Sequence, residues 1–316
     1  MTQKIATRDA YGDALVELGK RRSDVVVLDA DLSGSTKTSK FAKVFPDRFF
    51  NIGIAEQDMV GTAAGLAQAG KLPFVSTFAV FATGRAWEQI RQSVCYPNVN
   101  VKIVASHAGI TVGEDGGSHQ SVEDIAVMRV IPNMTVIVPA DGVETKQAIE
   151  AAADFMGPCY VRVGRNKVPV IFGSDYRFRI GKAHVFNGGK DVAVIAAGIM
   201  TAEALAARDM LKAEGIDAGV INMSTIKPLD IDAVVTAAKR CGAVVTAEEH
   251  SIIGGLAGAV AEVLSESCPV PLVRVGVRDC FGTSGDYEGL MKHYGLTAGD
   301  IARAAKEAID KKTRPT

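Results

Sequence analysis

Long apolar runs are missing from this sequence. The longest, residues 192–200, is interrupted by Gly198, and it is far shorter than the ~20 residues a helix needs to cross a bilayer. No membrane partner is expected. Basic blocks are missing too, and aromatics do not interleave with Lys and Arg. The net charge is −1, so no field gathers nucleic acid or anionic lipid. Cysteine is sparse: Cys95, Cys159, Cys241, Cys268 and Cys280 are scattered and odd in number. No two have the spacing of a zinc site or a redox pair, so reduced thiols in a cytoplasmic protein are expected and no metal site on this chain. The first nine residues carry Lys4, Arg8 and Asp9 without an apolar segment, which does not read as a secretory signal. Repeats of solenoid period and low-complexity tracts are also absent.

What the sequence has is alternation. With 316 residues, 47% of them hydrophobic and 22% charged, it is long enough for two soluble domains. Short β-rich runs at 25–29, 49–54, 74–77, 101–106, 135–138 and 160–163 alternate with helical patterns at 7–20, 57–69, 85–95, 122–129 and 142–153. The strand runs lack strict apolar–polar alternation, as in a parallel sheet buried on both faces. From 166 to 190 the chain mixes Pro169 and four glycines with charges and aromatics. A second block follows, with strands at 192–197, 218–222, 243–246 and 272–275 and helices at 201–214, 231–240, 254–264 and 297–311. The expected class is α/β, with two doubly wound domains. The boundaries fall at 1–170, a linker at 171–190, and a smaller domain at 191–316.

Gly53-Ile54-Ala55-Glu56-Gln57 places one carboxylate at a strand-to-helix junction. Met59, Val60, Ala63, Ala64 and Ala67 then recur at helical spacing until Gly70. Glu56 therefore belongs to the first helical turn at the carboxyl end of a strand, the rim where open α/β sheets bind ligands. An acid there can equally serve the helix dipole alone. Asp31 follows the strand at 25–29 and reads also as a turn residue. Phe78 and Phe81 follow another strand three residues apart and read also as core. His107 ends a strand, and a glycine-rich polar loop carries Asp115 and His119. Histidine suits proton traffic and hydroxyl recognition near neutral pH.

Four blocks in this order resemble the pyrimidine-binding half of a transketolase: Asp29-Ala30-Asp31-Leu32, the Glu56 motif, Ser76 to Phe81, and Ser106-His107-Ala108-Gly109 leading to Gly113-Glu114-Asp115-Gly116-Gly117-Ser118-His119-Gln120. The resemblance is specific from residue 7 to 169 and looser beyond. It implies a thiamine diphosphate pyrimidine-binding domain followed by a smaller transketolase C-terminal-like domain. It implies that Glu56 activates the cofactor, that Phe78 and Phe81 wall its aminopyrimidine, and that Asp31 lies near it across a subunit interface. It implies that His107, Asp115 and His119 contact sugar hydroxyls, the two histidines in catalytic roles. Arg8, Ser35 and Arg165 match positions that hold a substrate phosphate, with Arg162 competing for the last match. Glu248-Glu249-His250 before Gly254-Gly255 is familiar from the same C-terminal domains, although a strand-end loop explains it equally well.

The Gly-Asp-Gly motif that anchors magnesium and the cofactor's diphosphate in this family does not occur. The chain thus resembles the C-terminal half of a split transketolase. Such a chain is expected to self-associate and to work with an N-terminal subunit carrying Gly-Asp-Gly and the magnesium ligands, two copies of each. Its reaction would move a two-carbon ketol unit from a ketose, phosphorylated on this reading, to an aldose. Alternatives are a subunit like 1-deoxyxylulose-5-phosphate synthase, one like the β subunit of a 2-oxo acid dehydrogenase, or a non-catalytic binding or regulatory half-chain. The loop containing Ser106-His107 and Gly113-Glu114-Asp115-Gly116 favours the transketolase form.

Overall fold

The strand Val25–Asp29 shows how this sequence builds its larger sheet. Val25 and Val27 enter one apolar cluster while Val26 and Leu28 enter another on the opposite face. A strand apolar at every position must be covered on both sides, and helices cover it. In the computed structural model, which describes residues 3–313, this sheet has seven strands. Their spatial order is Thr225–Lys227, Thr135–Ile137, Cys159–Arg162, Lys102–Ala105, Leu72–Ser76, Val25–Asp29 and Phe49–Asn51. All run parallel except the first. Helices Thr7–Arg21 and Gly142–Asp154 pack together on one face, and helix Glu56–Gln68 lies on the other.

The second sheet has five strands, in the order Leu272–Val277, Val244–Ser251, Val192–Ala196, Ala218–Asn222 and His184–Asn187. Only the last is antiparallel. The chain is thus α/β with two doubly wound units, as the run pattern predicts. The stretch 171–190 splits its allegiance. Phe172, Tyr176 and Phe178 join the first unit's core, while His184–Asn187 forms the edge of the second sheet. Strand Lys167–Pro169 pairs antiparallel with Lys4–Ala6. Among the described residues no helix is long and apolar enough to cross a membrane, and all five cysteines are free.

Two details depart from the sequence expectation. The strand Thr225–Lys227 belongs in sequence to the second unit, yet it closes the edge of the first sheet against Thr135–Ile137. Three residues carry no periodic signal, and only the tertiary partner selects this conformation. The helix expected at 85–95 starts earlier and is irregular. Wide i→i+5 turns at Phe81–Arg85 and Ile90–Cys95 flank a single ordinary turn at Trp87–Gln89. Such turns shift side chains around the helix and occur often at functional sites.

The two units are joined by buried polar groups. Arg162 Nε donates to Asp124 Oδ2 at 2.7 Å and Arg162 Nη2 to Glu249 O at 2.9 Å. Glu144 accepts from Asn222 Nδ2 at 2.8 Å, Ser224 Oγ at 2.7 Å and the Ala140 N–H at 2.6 Å, and also from the Tyr176 hydroxyl. Arg162 and Asp124 are both buried, so deleting one leaves the other uncompensated. Arg162→Leu should cost about 3–5 kcal/mol of stability, read as a lowered denaturant midpoint. Arg165→Ala, which removes a partly exposed ion pair with Glu114 and the bond to Val112 O, should lower that midpoint far less.

Candidate functional site

Every residue given a cofactor, catalytic or substrate role above stands at or beyond the carboxyl rim of the larger sheet, or on helix Thr7–Arg21 beside it, while Glu248-Glu249-His250 ends a strand of the smaller sheet. Three non-glycine residues here, Asp31, Lys37 and His107, have positive φ of 63°, 72° and 57°. Left-handed conformations in such residues cost of order 1–3 kcal/mol each and cluster at functional sites, where they aim side chains.

A column of stacked groups runs through the site. The His107 imidazole stacks on Phe78 with centroids 3.8 Å apart, and Phe78 stacks on Phe81 at 5.8 Å. His119 meets both phenyl rings edge-on, at 6.2 and 5.5 Å. The Arg85 guanidinium lies over Phe81 at 4.2 Å, and its Nη1 donates to Glu56 Oε1 at 3.1 Å. Glu56 opens helix Glu56–Gln68 and is 4% exposed, whereas the Arg85 side chain is 52% exposed. The helix N-terminus favours negative charge at Glu56.

The other end of the column is cationic. Arg8 Nη1 donates to Ser35 O at 3.0 Å and meets His107 Nε2 at 3.2 Å. A guanidinium can only donate, so Nε2 is the acceptor and the imidazole proton lies on Nδ1, donated to Ser106 Oγ at 2.9 Å. Burial first, then the Arg8, Arg165, His119 and Lys37 charges, push the His107 pKa down to about 3. Burial lowers the Arg8 pKa, Asp9 and Asp115 raise it, and Arg165 lowers it. Arg165 Nη1 donates to Glu114 at 2.8 Å and to Val112 O. Two guanidiniums and a neutral imidazole thus converge where an oxyanion would relieve their repulsion.

The loop from Gly109 to Ser121 is pinned at its base by the Gly109 N–H on Ser121 O, at 2.7 Å. It presents exposed Asp115 and half-buried His119. Asp31 stands apart from the column. Its Oδ1 accepts from Asn51 Nδ2 at 3.0 Å, and Asn51 Oδ1 accepts from the N–H groups of Asp31 and Gly53, each at 3.1 Å. Asn51 therefore ties Asp31 to the turn that leads into Glu56. Of the two competing arginines, Arg165 faces the site, while Arg162 is buried on Asp124. Sequence reading missed Arg85, Lys37 and Asn51. Arg85 stands four residues after Phe81, a spacing that places it over that ring; Lys37 carried no comparable signal.

The family described as transketolase, pyrimidine binding domain matches residues 3–170, and that described as transketolase, C-terminal domain matches 181–301. A putative transketolase C-terminal section from Methanocaldococcus jannaschii is 52% identical over 96% of each chain. A 6-deoxy-6-sulfo-D-fructose transketolase subunit from a Clostridium species is 46% identical over 96% of this chain and 95% of its own. A solved structure described as a split gene transketolase, inactive beta4 tetramer, superposes with a TM-score of 0.91 at 57% identity. The match covers 98% of this chain and 99% of that one.

His107 should remain neutral across the physiological range. In the lone chain its imidazole C–H resonance should not move between pH 8 and 5, and titration should begin only as pH falls toward 3. The unfolded chain takes up this proton near pH 6.5. Stability contributed by neutral His107 is therefore full above that pH and is lost as pH falls below it. In Arg8→Ala the resonance should titrate at higher pH than in the wild type.

Proposed function

The chain belongs to the transketolase family as a transketolase subunit, and from that premise we propose that it is the pyrimidine-binding half of a thiamine diphosphate-dependent enzyme. On this reading the enzyme transfers a two-carbon ketol unit from an anionic ketose to an aldose, in the cytoplasm. The units are read as 1–170 and 191–316, with 171–190 between them contributing residues to both. The observation that carries the reading is the column from Arg8 through His107, Phe78, Phe81 and Arg85 to Glu56. It sets a cationic pocket at a fixed distance from a buried carboxylate.

The residues fit half of the cofactor. Phe78 and Phe81 offer a flat apolar wall for an aminopyrimidine, Glu56 offers a buried carboxyl group that could share a proton with a ring nitrogen, and Asp31 stands on the same rim. Arg85 covers Phe81 and Glu56 and must swing outward, which its exposure permits. The diphosphate and its magnesium find no Gly-Asp-Gly in this sequence, so a partner subunit would hold them, with two copies of each chain. When bound, thiamine diphosphate supplies the carbanion chemistry that breaks and remakes the carbon–carbon bond. Glu56 would hold a proton at the pyrimidine. His107, Asp115 and His119 would orient sugar hydroxyls, the histidines relaying protons there. Arg8, Ser35 and Arg165 would grip the terminal oxyanion. The relative named for a sulfo-sugar supports a tetrahedral oxyanion on the substrate, and phosphate meets the same need.

Exposed Ile54 (76%) and Phe50 (40%) flank the turn into Glu56, an apolar edge suited to cover by another chain. The relative described as an inactive β4 tetramer supports self-association without turnover. A non-catalytic half-chain would have no need to retain Glu56, the aromatic wall and the cationic pocket together.

The lone chain, with thiamine diphosphate, magnesium and sugar phosphates, should show no ketol transfer in a coupled assay. Activity should appear on mixing with a Gly-Asp-Gly subunit and vanish in Glu56→Gln despite intact assembly. Turnover by the lone chain, shown free of a second polypeptide by mass spectrometry, would sink the proposal. In the assembled enzyme Arg165→Ala should raise KM for a phosphorylated ketose about ten- to a hundredfold, the loss of a charge-assisted hydrogen bond. The KM for an unphosphorylated ketose should rise much less.

A further inference from the structure

The motif Glu248-Glu249-His250 has no part in the column, yet its three side chains leave the end of strand Val244–Ser251 in three directions. Glu248 accepts from the Leu256 and Ala257 N–H groups, at 2.7 and 2.8 Å, and caps helix Leu256–Ser267. His250 Nε2 accepts from the Ala126 N–H at 3.3 Å. Glu249 crosses into the first unit, where its Oε1 accepts from the Thr111 N–H at 2.7 Å. It lies so close to Gly109, whose φ is +80°, that a Cβ there would come 2.2 Å from Glu249 Cδ. Thr111 and Gly109 form the base of the loop that carries Asp115 and His119.

A second strap from the same unit holds the far side of that loop. Gln120 Nε2 donates to Ile110 O at 2.8 Å and to Thr283 O at 2.9 Å. Gly282 is pressed against Gln120; a Cβ on it would lie 1.7 Å from Gln120 Oε1. Helix Tyr287–His293 packs on the turn Ile110–Asp115. The first unit's grip on this loop comes from Arg165, from Asn166 Nδ2, which donates to Thr111 O, and from Arg162 Nη2, which donates to Ser121 O at 3.4 Å.

We propose that the C-terminal unit sets the conformation of the substrate loop, with Glu249 and the Gly282–Thr283 segment as its positioning groups. The sugar-binding consequence rests on the function proposed above; the mechanical coupling does not. Glu249 touches no reacting atom. Its carboxylate fixes two backbone positions, and these place the loop that presents Asp115 and His119. A neutral amide of the same shape keeps the acceptor that the Thr111 N–H needs.

The test has two readouts. In the lone chain, Glu249→Ala and Gly282→Ala should each speed amide hydrogen exchange of residues 110–120 by about tenfold, the loss of one buried hydrogen bond. Exchange in the central strands should not change, and Glu249→Gln should restore the slow rate. Gly282→Ala lies in a segment without regular structure, so it keeps the test alive if Glu249→Ala fails to fold. In the assembled enzyme both variants should lower kcat/KM for the ketose by about tenfold while cofactor affinity changes far less, because Phe78 and Phe81 stand outside the loop and meet it only through the edge contacts of His119. Unchanged loop exchange in the variants overturns the positioning role. Faster exchange with unchanged kcat/KM upholds the mechanical coupling and overturns the loop's assignment to the sugar.

Discussion

One buried guanidinium holds the arrangement together. Arg162 ends the strand Cys159–Arg162 in the larger sheet, where its charge meets Asp124 at the start of helix Asp124–Arg129, Ser121 O at the end of the glycine-rich loop, and Glu249 O in the second unit. A charge taken out of water costs several kcal/mol unless its partners are in place. The sheet, the loop, the helix and the second unit therefore satisfy Arg162 together or not at all. Apolar burial is nearly indifferent to a small rotation of one unit against the other, whereas a guanidinium with three fixed partners is not. The apolar core supplies the stability of the junction, and Arg162 supplies its geometry.

That rigidity lets the rim hold strained residues. His107, Asp31 and Lys37 keep left-handed backbones that a free chain would abandon. Two of them are held by specific bonds: His107 by Ser106 and Arg8, and Asp31 by Asn51. The strain has a use. With its backbone turned, His107 stacks flat on Phe78, facing Arg8 with an acceptor nitrogen. A neutral imidazole facing the Arg8 cation is then the consequence of the fold, not a feature requiring a separate cause.

The sequence exposes whatever is local and periodic. Strands buried on both faces announce themselves by unbroken apolar runs, as Val25–Asp29 does, and helix Glu56–Gln68 by its apolar spacing and Gly70. The site motifs were visible as residue types at strand ends. The choice between Arg162 and Arg165 was not, because three residues on a strand and its exit loop separate a core ion pair from a ligand-facing one. The strand Thr225–Lys227 was hidden for a related reason: its partner, Thr135–Ile137, lies far back in the sequence in the other unit, and nothing local distinguishes it from a turn. Arg85 was hidden because the apolar pattern starts the helix at 85, which leaves its four-residue spacing from Phe81 outside any expected helix.

The same pairings explain how a half-site can exist as a folded chain. Glu56, although 4% exposed, is not left as an isolated buried charge, because Arg85 reaches it from the surface and covers Phe81 as it does so. Arg165 rests on Glu114, and Lys37 on Asp9. These substitute pairings all have at least one partly exposed member, and exposed ion pairs contribute no more than about 1 kcal/mol. They can be exchanged for ligand contacts at little cost. The pairs that would be expensive to break, Arg162 with Asp124 and Glu144 with its donors, lie beneath the rim. The division is between a fixed polar foundation and a replaceable polar surface, and the proposed cofactor and substrate need only compete with the second.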